Sequence, residues 1–425
     1  MKKVSVVVIG FGDRGDIYAK YALSEPDKMQ VVAVVDPSKD RLNLAKKKHS
    51  LKDEQLFENV DDFVKSGIRA DLIINATMDQ QHYEVLKKTL SLSKYYLTEK
   101  PIVNNKKDLL VLESIAEKCG TTVFVGHVLR YTPFYRTIKK LLNDGKIGQI
   151  VTMELSEHVS SALYSGSYCR GRWRSEAESG STFLLAKSCH DADLLCWLND
   201  STKPVSVSSF GGRYQFIPAN APKNATKFCY QCPHKDTCIY SATNMYGEND
   251  LSAEITHPKY HKEKITLKDR MEFIKSDIFG QCIYTIKGND LVDRQSIIVN
   301  YENGSTATFI LSSGATIGNR TVFIMGTKGE IEGDLASGKI ILRENIHPET
   351  ERKITTIDAS KEITSDKSIQ GHSGGDYEIS KAIVNYINGD RSSISLTKFS
   401  DSINGHLLVF AADKARIKKQ VVDIK

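Results

Sequence analysis

The stretch VSVVVIGFGDRG, residues 4–15, decides the fold of this chain. A run of strand-forming residues leads directly into three glycines spaced as G-x-G-x-x-G. In a strand, turn and helix unit, Gly10 permits the tight turn and Gly12 lets the backbone approach a pyrophosphate, while Gly15 lets the helix pack on the strand. The stretch therefore predicts a βαβ unit that binds a dinucleotide at the start of its first helix.

Residues 1–126 continue this alternation of short β-branched runs with amphipathic segments, which predicts a parallel sheet covered by helices. The predicted strands are 4–9, 31–35, 71–75, 95–97 and 123–125, and the predicted helices between them are 41–48, 80–90 and 107–118. A sheet of this kind binds its ligand at the carboxyl ends of the strands. We expect the functional residues of this half directly after each strand.

From about residue 147 the strand-like segments become longer, which predicts an α+β domain with a mostly antiparallel sheet. Its predicted strands are 147–159, 205–211, 294–300, 306–311 and 322–325, with one helix at 181–198 and two closing helices at 374–388 and 398–419. The polar segment 213–275 is interpreted as an insertion. We therefore predict two domains, residues 1–126 and 127–425, with the closing helices at 374–425.

The composition excludes several classes of protein. The 425 residues are 40% hydrophobic and carry a net charge of +6, spread among acidic residues. Dispersed charge disfavours nucleic acid as a partner, and no apolar run approaches the roughly 20 residues that cross a membrane. Because the N-terminus leads into a strand rather than a signal peptide, we expect a cytoplasmic protein.

Asp36 ends the second predicted strand, 21 positions after Gly15. A carboxylate at that point can accept hydrogen bonds from both ribose hydroxyls of NAD and repels the 2′-phosphate of NADP. NAD is therefore the favoured cofactor. The nearby Lys39 and Arg41 weaken that preference and leave NADP open.

The tripeptide Glu99-Lys100-Pro101 follows a predicted strand at the same edge of the sheet. Desolvation and the positive charge of an oxidised nicotinamide both lower the pKa of a lysine there. Such a lysine suits proton exchange with a substrate hydroxyl. A strand end with a solvated ion pair is the alternative interpretation.

These motifs together resemble the Gfo/Idh/MocA oxidoreductases over nearly the whole chain, from residues 10–15 through 75–82, 99–101 and 126–133 to a helix bearing His190. The resemblance implies a Rossmann domain, a doubly wound parallel sheet, followed by an α+β domain with an open, mostly antiparallel sheet, in a homodimer or homotetramer. It also implies that Lys100 is catalytic and that Arg130 lies near the nicotinamide. The predicted cofactor site is Gly10, Phe11, Gly12, Arg14, Gly15, Asp36, Ala76, Thr77, His82, Glu99, Lys100 and Arg130.

The helix at 181–198 departs from the family pattern, in which an Asp precedes the His by one turn. Ala186 occupies the Asp position, and Lys187 lies three residues before His190, on the same side of a helix. We predict Lys100, His190 and Lys187 as catalytic candidates, with Asp193 orienting the imidazole. The alternative is an amphipathic helix whose Lys reaches water, whose His is a core residue and whose Asp is a surface carboxylate.

Trp173 and His372 complete the predicted substrate site. The whole predicted site is Lys100, Trp173, Lys187, His190, Asp193 and His372. Trp173 belongs to a segment rich in Tyr and Arg that suits stacking on a sugar, and equally a packed loop. His372 lies in a glycine-rich turn that opens a late helix, where Asp376 suits either a helix cap or a binding role.

Cys229, Cys232 and Cys238 have C-x2-C-x5-C spacing within the insertion. Clustered thiolates of this kind suit a structural zinc, with His234 or Cys282 as the fourth ligand. An iron–sulfur cluster, unligated thiols and a disulfide are the open alternatives.

The resemblance implies an NAD-dependent oxidoreductase that acts on a secondary hydroxyl of a small-molecule sugar, glycoside or cyclic polyol. The same family contains NAD-dependent glycosidases that work through a transient 3-keto sugar. A sensor that binds NAD and sugar without catalysis is a third hypothesis, supported by the missing carboxylate at Ala186.

Overall fold

A computed structural model describes residues 2–248, 266–347, 351–363 and 371–424. Residues 249–265 of the predicted insertion lie outside this description. Two sheets organise the described chain, one in each half.

The first sheet has six parallel strands in the order β3-β2-β1-β4-β5-β6, which confirms the predicted Rossmann topology. Its strands are β1 Val4–Ile9, β2 Met29–Val35, β3 Leu56–Phe57, β4 Leu72–Asn75, β5 Tyr95–Thr98 and β6 Thr122–Val125. The helices between them are α1 Asp13–Ser24, α2 Lys39–His49, α3 Val60–Ser66, α4 His82–Thr89 and α5 Lys106–Cys119. Strand order reverses between β1 and β4, so the crevice that accepts ligands lies beyond the ends of these two strands.

The second sheet has nine strands in the order β14-β13-β12-β11-β7-β10-β9-β8-β15. Only β7 and β10 are parallel neighbours, which confirms the mostly antiparallel prediction. The strands are β7 Ile150–Ser160, β8 Pro204–Gly212, β9 Arg294–Tyr301, β10 Thr306–Ala315, β11 Asn319–Gly326, β12 Gly329–Asp334, β13 Lys339–His347, β14 Glu351–Asp358 and β15 Val422–Asp423. In β9, alternate residues are buried and exposed, as expected of a sheet with one open face.

The helices of the second half are α6 Pro133–Asn143, α7 Phe183–Leu198, α8 Leu267–Ser276, α9 Gly375–Ile387 and α10 Phe399–Lys418. Almost every residue of α7 is buried, because the helix packs on the inner face of the second sheet and against α10. Its backbone leaves helical geometry at Ser188. This central helix carries the predicted residues Lys187 and His190 into the molecule.

The two closing helices connect the halves. α9 packs on α1 of the first half, and α10 contacts α7 and β8 as well as β6 and α5. Ahead of α10, the carbonyl of Thr397 accepts a hydrogen bond of 2.8 Å from the backbone N–H of Val125 at the edge of the first sheet. In and directly after the described part of the insertion, a separate small apolar cluster includes Tyr246, Ile274 and Phe279, whereas Phe216 and Tyr240 pack in the main core of the second half. Within the described ranges, no helix combines the length and the apolarity that a membrane span requires.

Candidate active site

The glycine turn after β1 leaves room for a phosphate. Gly10 has a φ of +86°, and a Cβ added there would lie 2.6 Å from the carbonyl oxygen of Ala76. A Cβ on Gly12 would meet only the guanidinium of Arg41, at 3.8 Å or more. Because Gly12 also precedes the first turn of α1, its open side faces the free N–H groups of a helix N-terminus.

Asp36 lies buried at the end of β2, where main-chain donors orient its carboxylate. Its Oδ2 accepts a hydrogen bond of 2.8 Å from the amide of Phe11, and its Oδ1 accepts one of 2.9 Å from the amide of Ser38. Arg41 Nη1 lies 3.5 Å from Oδ2. Oδ1 has a further lone pair for a ribose hydroxyl, whereas Oδ2 already accepts from Phe11 and Arg41. With the open side of Gly12, this oriented carboxylate fits an adenine dinucleotide.

Arg14 ties the glycine turn to two other elements. Its Nε donates to Glu99 Oε1 (2.6 Å), its Nη1 to Asp376 Oδ1 (2.7 Å) and its Nη2 to the hydroxyl of Tyr18 (2.8 Å). Burial raises the pKa of Glu99, but the Arg14 and Lys100 cations outweigh it and hold that pKa below its usual value. Arg14 and Glu99 also line the cleft, so this ion pair forms part of its wall.

His82 and Thr77 stabilise the loops beside the cleft. The imidazole of His82 is fully buried and lies between two carbonyls, with Nδ1 at 2.6 Å from Pro101 O and Nε2 at 3.0 Å from Thr77 O. The hydroxyl of Thr77 donates to Asn75 Oδ1 at 2.7 Å. Ala76 and Thr77 line the cleft, whereas His82 lies behind it and positions the loops after β4 and β5.

Lys100 reaches from the first half to the second. Its Nζ donates a hydrogen bond of 2.6 Å to the carbonyl of Ala186 in α7. Ala186 occupies the position at which the family pattern has an Asp, and here the oxygen that faces Lys100 belongs to the main chain of α7. The irregular turn at Ser188 follows directly.

His190 lines the same cleft as Lys100. Burial lowers the pKa of its imidazole well below the usual value, and the Lys100 cation lowers it further. Its Nδ1 is buried without a hydrogen-bond partner among the described residues. The ring centroid lies 5.5 Å from that of His127 and 6.3 Å from that of His372. Burial and the Lys100 cation both favour the neutral imidazole, in which one ring nitrogen keeps a lone pair.

Asp193 and Arg130 form a buried ion pair away from the cleft. Arg130 Nε donates to Asp193 Oδ2 at 2.7 Å, and Arg130 Nη2 donates to Asp193 Oδ1 at 2.5 Å. A carboxylate whose two oxygens both accept from one edge of a guanidinium is not free to orient the imidazole of His190. The prediction of that role for Asp193 is therefore wrong, and Arg130 joins α7 to the loop after β6 rather than lining the cleft.

Lys187 lines the cleft and belongs to a network of four charged side chains. Its Nζ lies 3.1 Å from Glu157 Oε1, and Arg320 Nε lies 2.5 Å from Glu157 Oε2. Arg320 also donates to Asp191, from Nε at 2.7 Å and from Nη2 at 3.2 Å. Burial lowers the pKa of Lys187, and the Glu157 carboxylate opposes this change. Lys187 is thus paired in the protein interior rather than extended to water.

Trp173 and His372 lie on the cleft wall as well. The indole N–H of Trp173 donates to Asp79 Oδ2 at 3.1 Å, so its ring is fixed by the first half. His372 Nδ1 lies 3.0 Å from Asp376 Oδ2, and this Asp is the one that Arg14 holds. The turn thereby connects the cleft to the start of α9.

The cleft between the halves has a volume of about 230 Å³. It brings together these predicted residues: Gly12, Arg14, Ala76, Thr77, Glu99, Lys100, Trp173, Lys187, His190 and His372. Gly10, Phe11, Gly15 and Asp36 lie beside or beneath it, in the turn and at the end of β2.

Glu157, Arg320 and Asp79 are site residues that the sequence interpretation missed. Glu157 shares the buried face of β7 with Leu155 and Val159, and Arg320 lies on the buried face of β11. A charged residue at an inward position of an alternating strand is the signal that identifies both.

The cysteines of the insertion lie close together. Cys229, Cys232 and Cys238 line one small cavity with Cys282 and His234. Across the described residues, however, no group of three or more Cys, His, Asp or Glu side chains is arranged to hold a metal. The predicted structural zinc therefore gains no support from the structure.

Family comparison identifies the class of protein that this fold and cleft define. Residues 4–127 match the model of an oxidoreductase family with an NAD-binding Rossmann fold, and residues 139–424 match its C-terminal alpha/beta domain. The chain belongs to the Gfo/Idh/MocA oxidoreductase family, as the motifs indicated.

Individual relatives are distant. "Putative oxidoreductase YteT" of Bacillus subtilis (strain 168) is 25% identical over 354 residues, covering 82% of this chain and 80% of its own. An inositol 2-dehydrogenase/D-chiro-inositol 3-dehydrogenase of Lactiplantibacillus plantarum is 23% identical over 49% of this chain and 55% of its own. A levoglucosan dehydrogenase solved with NADH and levoglucosan has a TM-score of 0.70 at 14% identity, covering 100% of this chain and 99% of that chain.

Proposed function

We propose that this protein is an NAD-dependent dehydrogenase that oxidises a secondary hydroxyl of a sugar, glycoside or cyclic polyol. One observation carries the proposal: the Lys100 amine and the neutral His190 imidazole, from opposite halves, line one cleft that begins at the glycine turn. Oriented Asp36 favours NAD over NADP. The dehydrogenase names of the inositol and levoglucosan relatives support the substrate class.

The chemistry follows from the side chains of the cleft. NAD, when bound, supplies the acceptor for the hydride that leaves the carbinol carbon. The hydroxyl proton leaves to a base, and the products are a ketone, reduced cofactor and a proton on the protein. The lone pair of His190 can receive that proton, and the Lys100 ammonium can donate a hydrogen bond to the developing carbonyl oxygen.

Replacement of Lys100 tests the catalytic assignment. With a sugar that reduces NAD, Lys100→Met should lower kcat by about 100-fold or more, followed by absorbance of NADH. Lys94→Met is the matched control, because Lys94 lies exposed just before β5, at the opposite end from Lys100.

Unchanged sugar-dependent NADH formation in Lys100→Met would refute the assignment. Cleavage of a glycoside without net NADH would instead support the glycosidase. Binding of NAD and sugar with no turnover of any kind would support a sensor.

We further propose that the protein is a cytoplasmic homo-oligomer that pairs through the open face of the second sheet. Ile298 on β9 is 53% exposed and Ile310 on β10 is 48% exposed, and both side chains project from that face. Ile354 on β14 adds a third exposed apolar side chain. A second copy of the chain would remove this apolar surface from water.

A further inference from the structure

We propose that the cleft selects a sugar that carries a carboxylate, such as a uronate, and that Lys187 and Arg320 bind this group. This inference rests on the proposed dehydrogenase function and names its substrate class. The observation behind it is the unequal placement of charge in the network of Lys187, Glu157, Arg320 and Asp191.

The cations of the network reach the cleft, whereas its anions do not. Lys187 and Arg320 both line the cleft, with side chains 17% and 10% exposed. Glu157 and Asp191 lie behind them, 5% and 1% exposed. The carboxylates that do line the cleft, Asp13, Asp79 and Glu99, all belong to the first half. A substrate therefore meets positive charge on the wall formed by the second half.

The two cations lie close enough to act on one group. Both contact the same carboxylate, that of Glu157, through its two oxygens at 3.1 and 2.5 Å. Arg320 uses Nε and Nη2 for its hydrogen bonds to Asp191, and its second terminal nitrogen, Nη1, donates to no acceptor among the residues that the structure describes. A planar guanidinium edge beside an ammonium is a strong binding arrangement for a carboxylate.

The charge balance favours a monoanion. Of the four charged groups of the network only the two cations line the cleft, so they are the groups that meet a substrate. A carboxylate brings one negative charge to them, whereas a phosphate dianion would bring a second one into a poorly hydrated site.

The position of the network also fixes where the carboxylate sits. Lys187 follows Ala186, whose carbonyl holds the Lys100 amine, and precedes His190 by three residues. The anionic group is therefore a substituent close to the carbon that is oxidised. Lys187 is a binding residue in this arrangement. It supplies the substrate contact that the Asp of the family pattern, replaced here by Ala186, would supply.

Matched pairs of sugars test the inference on the full-length chain. D-glucuronate and D-galacturonate are compared with D-glucose, D-galactose and the uncharged amide D-glucuronamide, with NAD as cofactor. We expect kcat/KM to be at least about tenfold higher for a uronate than for its neutral partners. Equal or higher kcat/KM for the neutral sugars would overturn the inference and leave the dehydrogenase function intact.

Variants of Lys187 localise the preference. Lys187→Met should lower the ratio of acid to neutral kcat/KM by about tenfold, mainly through KM for the acid, and Lys187→Arg should restore most of it. Lys118→Met, an exposed lysine on α5, is the control for loss of one charge. An unchanged ratio in Lys187→Met would overturn the assignment of the site.

A binding experiment separates the two proposals. Glucuronate is titrated into the protein saturated with NADH, followed by calorimetry, with glucuronamide as the neutral control. Tight binding of the acid in this titration, together with no oxidation of any sugar in the assays with NAD, would support the carboxylate site and refute the dehydrogenase. Oxidation of neutral sugars with no binding of glucuronate would support the dehydrogenase and refute the carboxylate site.

Discussion

At the scale of single residues, Asp36 shows how the main chain prepares a cofactor contact. The amides of Phe11 and Ser38 hold its carboxylate from two sides, and Arg41 lies 3.5 Å away. The same carboxylate that suits ribose hydroxyls therefore also restrains a guanidinium that suits a 2′-phosphate.

Asp36→Asn should reverse part of the cofactor preference. The amide keeps an acceptor oxygen but removes the negative charge that repels a 2′-phosphate and holds Arg41. We expect the NAD-to-NADP ratio of kcat/KM to fall by about tenfold or more. Steady-state rates with each cofactor measure it, and an unchanged ratio would contradict the role of the charge.

His406 should make stability depend on pH. Burial lowers its pKa from 6.5 to about 3, and its Nε2 accepts a hydrogen bond of 2.9 Å from the amide of Ile102. Between these two pKa values the unfolded chain binds the proton and the folded chain does not. The free energy of unfolding therefore falls as the pH falls below about 6.5, by about 1.4 kcal/mol per pH unit for this group.

The comparison that isolates this effect is His406→Gln, whose amide oxygen can still accept from Ile102. Urea unfolding at pH 6.5 and at pH 5.5 gives the fall in the free energy of unfolding between the two pH values. This fall should be smaller in the variant than in the parent by about 1 kcal/mol. Identical losses in the two proteins would show that His406 does not bind the proton on unfolding.

At the scale of elements, Arg14 joins three of them: α1, the end of β5 and the start of α9. Its partners Glu99 and Asp376 are buried, and the Arg14 cation holds the pKa of Asp376 below its usual value against the effect of burial. The segment Glu99-Lys100 is therefore positioned partly from the far end of the chain.

Arg14→Met should destabilise this junction. Removal of the cation leaves two buried carboxylates without their partner, which costs about 3 kcal/mol of unfolding free energy. Denaturant unfolding measures the loss, and Arg14→Met combined with Asp376→Asn should recover part of it. A single variant as stable as the parent would show that water replaces the guanidinium at no cost.

The elements that the sequence predicted are those with a strong local pattern. The continuous apolar runs of β1, β2 and β4 and the glycine turn predicted the first sheet, and the isolated apolar segment at 181–198 predicted α7. The strands β3 and β15 were missed because two residues are too few to show a periodic pattern. The strands β12, β13 and β14 were missed because they are rich in charged residues, although each pairs with its neighbour along the chain.

The same distinction applies to the site. Motif residues such as Gly12, Lys100 and His190 were found from order along the chain. The Arg130 to Asp193 pair was misinterpreted, since spacing along a helix places Asp193 near His190 but does not reveal an arginine 63 positions away. Glu157 was missed because its partners Lys187 and Arg320 come from other elements.

At the scale of the whole molecule, the open face of the second sheet presents apolar side chains such as Ile298 and Ile310 to water. Ile298→Asp combined with Ile310→Asp should shift an oligomer towards monomer, because a charge buried in an interface loses its hydration. Sedimentation velocity measures the change. Ile417→Asp, at a 66% exposed position on α10, is the control.

Either of two results would contradict this assignment. The first is a parent protein that sediments as a monomer. The second is a double variant that keeps the size of the parent while Ile417→Asp dissociates it.

The path of the last fifty residues has a practical consequence for dividing the protein. Thr397 accepts from the amide of Val125 and donates from its hydroxyl to the carbonyl of the same residue, so the outer border of the nucleotide half is completed by a residue 272 positions further along the chain. A fragment that stops after β6 would lack this border and the carboxylate of Asp376. The cofactor half should therefore be expressed and assayed only within the intact polypeptide, and swaps of its partner half with relatives should carry α9 and α10 along with it.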